Sequence, residues 1–229
     1  MTGVDLVFAW LTINRGVIDS IFLRQAEIGQ QLKAVNYQVN FTYAELDLLK
    51  NQFQTINCQR RVIMSSYDNQ QDVWLGASVN GREVTGKEFK RLQRDLQKKG
   101  LLARKSRLPF LIATRDEYDY EVIGKEELNG ETVWVVKFSP KTIDSRYLRG
   151  KGYVLAKSYD VVRIEFQPAL LPFVVRRTLM MLEYGPIKGF WLPSRFWLEM
   201  EIGLKVIKDL FHLQIKVEDI YTDYRLKLN

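Results

Sequence analysis

The chain has 229 residues, of which 46% are hydrophobic and 27% charged, and a formal charge of +7. A chain of this length buries roughly 70–75% of the surface its unfolded form exposes, so it needs no disulfide or metal to fold. One cysteine, Cys58, excludes an internal disulfide, and one histidine, His212, leaves imidazole chemistry a single candidate.

Residues 4–13 form an apolar run interrupted by Asp5. It has no basic n-region and no small-residue cleavage site, so it does not read as a secretory leader. It is also too short to span a bilayer, and no later stretch approaches about 18 apolar residues. Next, Val17, Ile21, Ile28 and Leu32 recur on one face, with Ile18 and Phe22 beside it, which predicts an amphipathic helix over about 16–35. Such a stripe is buried most simply against a sheet. Tyr37, Val39, Phe41 and Tyr43 then alternate with polar residues and predict a strand to about 49. A turn at 50–52, a returning strand over 53–67, a loop at 68–71 and a strand over 73–79 follow. Asn80-Gly81 is a tight-turn signal, because both residues tolerate positive φ. Thr85 and Glu88 fit a capping box that opens a second helix over about 86–99, with Phe89, Leu92 and Leu96 on its apolar stripe and Gly100 placed to end it. A basic linker covers 101–107, and 109–114 is an apolar patch compatible with a short helix.

From residue 118 to residue 228 the chain reads as a meander of long strands. Its hairpins turn at Asn129-Gly130 and at Ser158-Tyr159-Asp160, and 185–189 reads as a loop. Trp134, Val136 and Phe138 share a face, as do Phe196, Leu198, Met200 and Ile202. In all, about nine or ten strands and two helices are expected. Without a Pro/Gly/Ser-rich linker, an internal repeat or a low-complexity segment, residues 1–229 read as one domain.

Residues suited to chemistry are scarce, which argues against an enzyme and against a cofactor. His212 falls on the polar face of the last strand, Cys58 sits mid-strand as a half-buried thiol, and no His/Cys grouping has metal spacing. Phosphate-cradling and dinucleotide glycine patterns are missing. Glu199 and Glu201 share a strand face, which reads as solvent-exposed more readily than as a carboxylate pair for hydrolysis. The second helix carries Lys87, Lys90, Arg91, Arg94 and Lys98. These cations read as a solvated face, an anionic-lipid contact or a surface for an acidic partner; without interleaved exposed aromatics they argue against nucleic acid.

Phe41, Trp74, Trp134, Val136, Phe138, Phe166, Met180, Phe196, Leu198 and Met200 supply bulky apolar positions on the strands. They read either as a packed core or as the lining of an apolar cavity inside a strongly curved antiparallel sheet.

The stretches from Val79 to Phe89 (VNGREVTGKEF), from Tyr120 to Pro140 (YEVIGKEELNGETVWVVKFSP), Gly189-Phe190-Trp191-Leu192-Pro193 and Tyr221-Thr222-Asp223-Tyr224-Arg225 resemble the periplasmic lipoprotein carrier (LolA/LolB-like) superfamily, in particular its bacterial envelope members without an assigned role. The resemblance implies an α+β fold: an incomplete β-barrel whose opening is covered by helices, around a hydrophobic cavity for acyl chains. It implies a non-enzymatic carrier or sensor of lipidated or amphiphilic molecules, with acyl chains or a lipoprotein as partner and the periplasm as compartment. No family residue maps onto a position of this chain. Two features depart from the pattern: no leader is seen and no lipid-attachment cysteine stands near the start. An interaction module that uses the basic helix to bind an acidic partner is the alternative.

Overall fold

The computed structural model describes residues 3–66, 69–98, 107–205 and 209–229. Helix α1 (Gly3–Gln31) leads directly into β1 (Leu32–Asp47), which is followed by β2 (Gln52–Ser66), β3 (Asn69–Val79), the two-residue β4 (Arg82–Glu83) and α2 (Gly86–Lys98). After a 3-10 helix at Ile112–Glu117 come β5 (Tyr118–Leu128), β6 (Glu131–Pro140), β7 (Leu148–Leu155) and β8 (Val161–Pro168). The chain finishes with β9 (Val175–Ile187), β10 (Phe190–Lys205) and β11 (Asp209–Leu228).

All eleven strands belong to one sheet, in the order β4-β3-β2-β1-β11-β10-β9-β8-β7-β6-β5. Every pairing between neighbours is antiparallel. The first and last strands lie side by side in its middle, and the edges β4 and β5 do not pair, so the sheet is curved but open. Register shifts in β1, β3, β5, β8 and β9 add local bend and twist. One of them, opposite Tyr153 and Val154, leaves Val162 unpaired and puts it on the same outer side as its neighbour Arg163.

Three differences from the sequence expectations have physical causes. Helix α1 ends at Gln31, not near 35, because Leu32 and Val35 pair with Leu228 and Leu226 of β11, and strand pairing outweighs the helical spacing. It also begins at Gly3 and absorbs the apolar run at 4–13. The stretch 185–187 is strand, and the turn is confined to Lys188-Gly189, where φ is 50° and 87°. Pro186 is tolerated there because β9 pairs with β8 only through Met180–Glu183, so beyond that point β9 is an edge and a missing N–H costs no ladder bond. The turns at Asn80-Gly81 and Asn129-Gly130 have positive φ at both residues, as expected. The expected basic linker at 101–106 lies outside the described residues.

The face of the sheet that meets α1 and α2 is called the inner face here. One inner cluster joins Val17 and Ile21 of α1 to Val136, Phe138, Val154, Ile164, Phe166 and Leu182. A second joins Phe89, Leu92 and Leu96 of α2 to Phe41, Tyr43, Ile56, Cys58, Leu198 and Val217. A smaller outer cluster holds Val133, Val135, Tyr153 and Val162 beside Trp191.

Candidate functional site

Strand alternation brings the apolar positions into rows across the inner face. One row runs Phe166–Met180–Leu198–Val217–Tyr43–Ile56. Its neighbour runs Ile164–Leu182–Phe196–Asp219–Phe41–Cys58–Ala77. The apolar candidate residues named from the sequence all fall on this face. Trp134, Val136, Phe138 and Phe166 sit in the cluster under α1. Phe41, Trp74, Leu198 and Met200 sit in the cluster under α2. Met180 and Phe196 pack against both clusters, so they form the seam between them. The seam residues are half-buried, whereas Val136, Phe138 and Phe41 are almost fully buried.

A charged group interrupts the apolar rows. Arg60 of β2 is 5% exposed and Asp219 of β11 is 8% exposed. Arg60 Nη1 donates to Asp72 Oδ2 at 3.0 Å, and its Nη2 lies 3.6 Å from Asp219 Oδ2, across β1. Arg60 Nε and Asp219 Oδ1 are buried without a hydrogen-bond partner. Burial pushes the Asp219 carboxyl up to about 6, against the opposing pull of Arg60. Burial likewise pushes the Tyr37 hydroxyl up to about 12 and the Tyr221 hydroxyl well above its usual range. Tyr37 packs its ring on Tyr221 and Tyr224, at centroid distances of 5.7 and 5.2 Å.

This polar cluster was missed in the sequence, although a signal was present. Arg60 continues the inner phase Ile56–Cys58–Arg60–Val62, and Asp219 continues Ile215–Val217–Asp219–Tyr221. A charge on the apolar phase of a strand must be paired inside or displaced to solvent.

Helix α1 is held by polar ties as well as by its stripe. Arg24 Nε donates to Asp160 Oδ1 at 2.8 Å, and the Asp160 side chain is 4% exposed. Arg115 pairs with Asp19 at 2.5 Å and stacks over the Phe22 ring. The Val122 N–H donates to Asn14 Oδ1 at 2.8 Å. Together these fasten α1 to the 3-10 helix, to β5 and to the β7–β8 turn.

On α2, Lys87, Lys90, Arg91 and Arg94 are exposed, and the Lys98 side chain lies outside the described residues. Arg91 lies 3.8 Å from Asp95 on the same helix, and Glu88 of the expected capping box ion-pairs with Arg82. Glu199 and Glu201 are on the outer face, both half-buried. Glu199 pairs with Lys216 at 2.8 Å, and Glu201 lies 2.7 Å from His212 Nε2. Cys58 is buried, and desolvation pushes its thiol up to about 12, far from a reactive thiolate. Among the described residues, no three His, Cys, Asp or Glu side chains are grouped to hold a metal ion. No described helix is long and apolar enough to cross a membrane. An open hollow of about 320 Å³ lies on the outer side, bordered by Leu128, Leu155, Val162 and Trp191. Another, of about 150 Å³, includes Met200 beside Arg177, Glu199 and Lys216.

A family model described as an uncharacterized protein matches residues 112–205. No curated protein matches the chain. Among solved structures, the chain is similar to a DUF1329 family protein from Desulfovibrio piger, with 14% identity, a TM-score of 0.42, and 93% of this chain and 92% of that one covered. It is also similar to a LolA superfamily protein from Nitrosomonas europaea, with 15% identity, a TM-score of 0.39 and coverage of 91% and 93%. A domain from Vibrio parahaemolyticus, described as an outer membrane lipoprotein-sorting protein, gives 13% identity, a TM-score of 0.43 and coverage of 84% and 85%.

Proposed function

We propose that this chain is a non-enzymatic carrier or sensor of lipidated or amphiphilic molecules in the bacterial envelope, acting in the periplasm. In this reading residues 1–229 form one LolA-like domain, an incomplete barrel whose opening is covered by α1 and α2. The observation that supports it is the seam at Met180 and Phe196, a half-buried apolar strip between the cluster that includes α1 residues and the cluster that includes α2 residues. An acyl chain laid along the seam would gain about 0.8 kcal/mol per buried CH₂. It would enter by displacing a helix from its cluster, so Phe41, Trp74, Trp134, Val136, Phe138, Phe166, Leu198 and Met200 would become ligand contacts in the open state. Arg60 and Asp219 would stand at the polar end of such a chain.

Titration with a fluorescent fatty acid tests this. Saturable binding is expected, weakened by Met180→Lys and Phe196→Asp. Failure of the unmodified protein to take up the probe saturably would overturn the proposal.

A second reading makes α2 the recognition surface for an acidic protein partner. Its support is that Lys87, Lys90, Arg91 and Arg94 all point to solvent while the apolar stripe of the helix is docked.

A further inference from the structure

Large apolar side chains that remain exposed are not spread evenly over this molecule. Because every pairing is antiparallel, β1, β3, β6, β8 and β10 all run toward one end of the sheet. The described connections that follow them, 48–51, 80–81, 141–147 and 169–174, lie along the rim at that end. The Leu48 N–H bonds to the His212 carbonyl at 2.9 Å, Gly203 N–H to Val174 at 2.8 Å and Ala169 N–H to Tyr147 at 2.8 Å. This rim carries Leu49, Phe53, Ile143, Leu170, Phe173 and Leu210, all exposed; Phe173 is 86% exposed and Ile143 75%. At the opposite end, the connections 129–130, 156–160 and 188–189 carry no exposed large apolar residue among those described, and the exposed apolar side chains there are Leu228 near the end of β11 and Ile63 near the end of β2.

Cations surround the apolar tips. Lys50, Lys141, Arg146 and Arg177 are exposed on the same rim, and Lys50 and Arg146 are partly offset by Asp47 and Asp144. Helix α2 lies at this end too, since its stripe packs on Tyr43, Ile56, Val79, Met200 and Ile202, each near the rim end of its strand. Its solvent face adds Lys87, Lys90, Arg91 and Arg94.

We infer that this rim docks the protein on an anionic bilayer surface, with Phe173 and Ile143 as the deepest side chains. The apolar residues stand on separate connections and strand ends, which suits a deformable lipid interface better than a rigid protein face. The surrounding positive charge is complementary to anionic headgroups. The inference stands on exposure and charge at the rim and does not require the seam to hold a ligand.

Vesicle co-sedimentation of the full chain tests it. Unmodified protein is expected to bind vesicles of phosphatidylglycerol mixed with phosphatidylethanolamine, to bind phosphatidylcholine vesicles weakly, and to be released by salt. The double variant Phe173→Ser, Ile143→Ser should lose about tenfold or more in partitioning. Leu23→Ser, at an exposed apolar position on α1, should bind as the unmodified protein does. Thermal unfolding and fatty-acid uptake, measured in parallel, separate docking from folding and from the carrier reading. Absence of binding to the anionic vesicles, or equal binding by the double variant, overturns the inference. So does self-association that Phe173→Ser abolishes in a protein that ignores vesicles, since a second copy would then cover the rim.

Discussion

Arg60 Nη1 and Asp72 Oδ2 meet at 3.0 Å on neighbouring strands, although the partner of Arg60 in the β2–β3 register is Trp74. The register shift between Gln59 and Arg60 permits this diagonal contact, and the same guanidinium extends over β1 toward Asp219. One buried cation therefore ties three strands on the apolar face.

Removing that cation leaves Asp219 and half-buried Asp72 without it. Arg60→Met should destabilise the fold by about 3–5 kcal/mol in urea unfolding, the range for breaking a buried pair from one side. The double variant Arg60→Met, Asp219→Leu should regain a large part of that loss, because no charge remains uncompensated at the β11 position. A double variant as unstable as the single one would refute this account.

Asp219 makes a signed contribution to pH dependence. Its folded-state carboxyl is raised to about 6, above its ordinary range near 4. Between these values the native state holds a proton that the unfolded chain releases, so this share of stability is full below about pH 4 and is lost as pH rises through about 6. Relative to Asp219→Asn, the unmodified protein should lose on the order of 2–3 kcal/mol between pH 4 and pH 6.5. Paired denaturant titrations across that window measure the difference; a flat difference would contradict it.

Two glycines on β7 hold close approaches that no other residue fits. A Cβ at Gly150 would lie 2.0 Å from the Glu165 carbonyl oxygen, and one at Gly152 would lie 2.5 Å from the Phe110 ring. Gly152→Ala should cost about 1–3 kcal/mol by overpacking, and Gly150→Ala at least as much, because backbone cannot yield as a ring can. Gly76→Ala and Gly124→Ala, with open space at the Cβ position, should stay within about 0.5 kcal/mol. Thermal melts of the four variants rank them.

The tie between Arg24 and Asp160 holds α1 at the β7–β8 turn. Arg24→Ala leaves a buried carboxylate and should loosen the docked helix. Hydrogen exchange is expected to quicken across residues 14–31, and uptake of the fluorescent fatty acid should speed up if α1 gates the seam. Faster exchange with unchanged uptake would place entry elsewhere.

Reversing charge at Lys90, Arg91 and Arg94 separates the two functional readings. All three side chains are exposed, so the thermal transition should move little. Under the carrier reading fatty-acid saturation is unchanged; under the partner reading, binding to an acidic polypeptide such as polyglutamate is lost. Loss of fatty-acid binding would instead assign these cations to the ligand headgroup.

Local chemistry made much of this molecule legible before any coordinates. Alternation grouped Trp134, Val136 and Phe138 on one strand face and Phe196, Leu198 and Met200 on another, because side chains on a strand must point to opposite faces. Asn80-Gly81 and Asn129-Gly130 declared their turns, because two successive positive φ angles call for such residues. What only the tertiary structure decided depends on partners distant in sequence. Leu32 left the helix because β11 lay ready to pair with it. Met180 and Phe196 became a seam because α1 and α2 settled on different strands. Arg60 and Asp219 could be read as misplaced charges on an apolar phase, but their meeting depends on β1 lying between β2 and β11, a contact that closes nearly the full length of the chain.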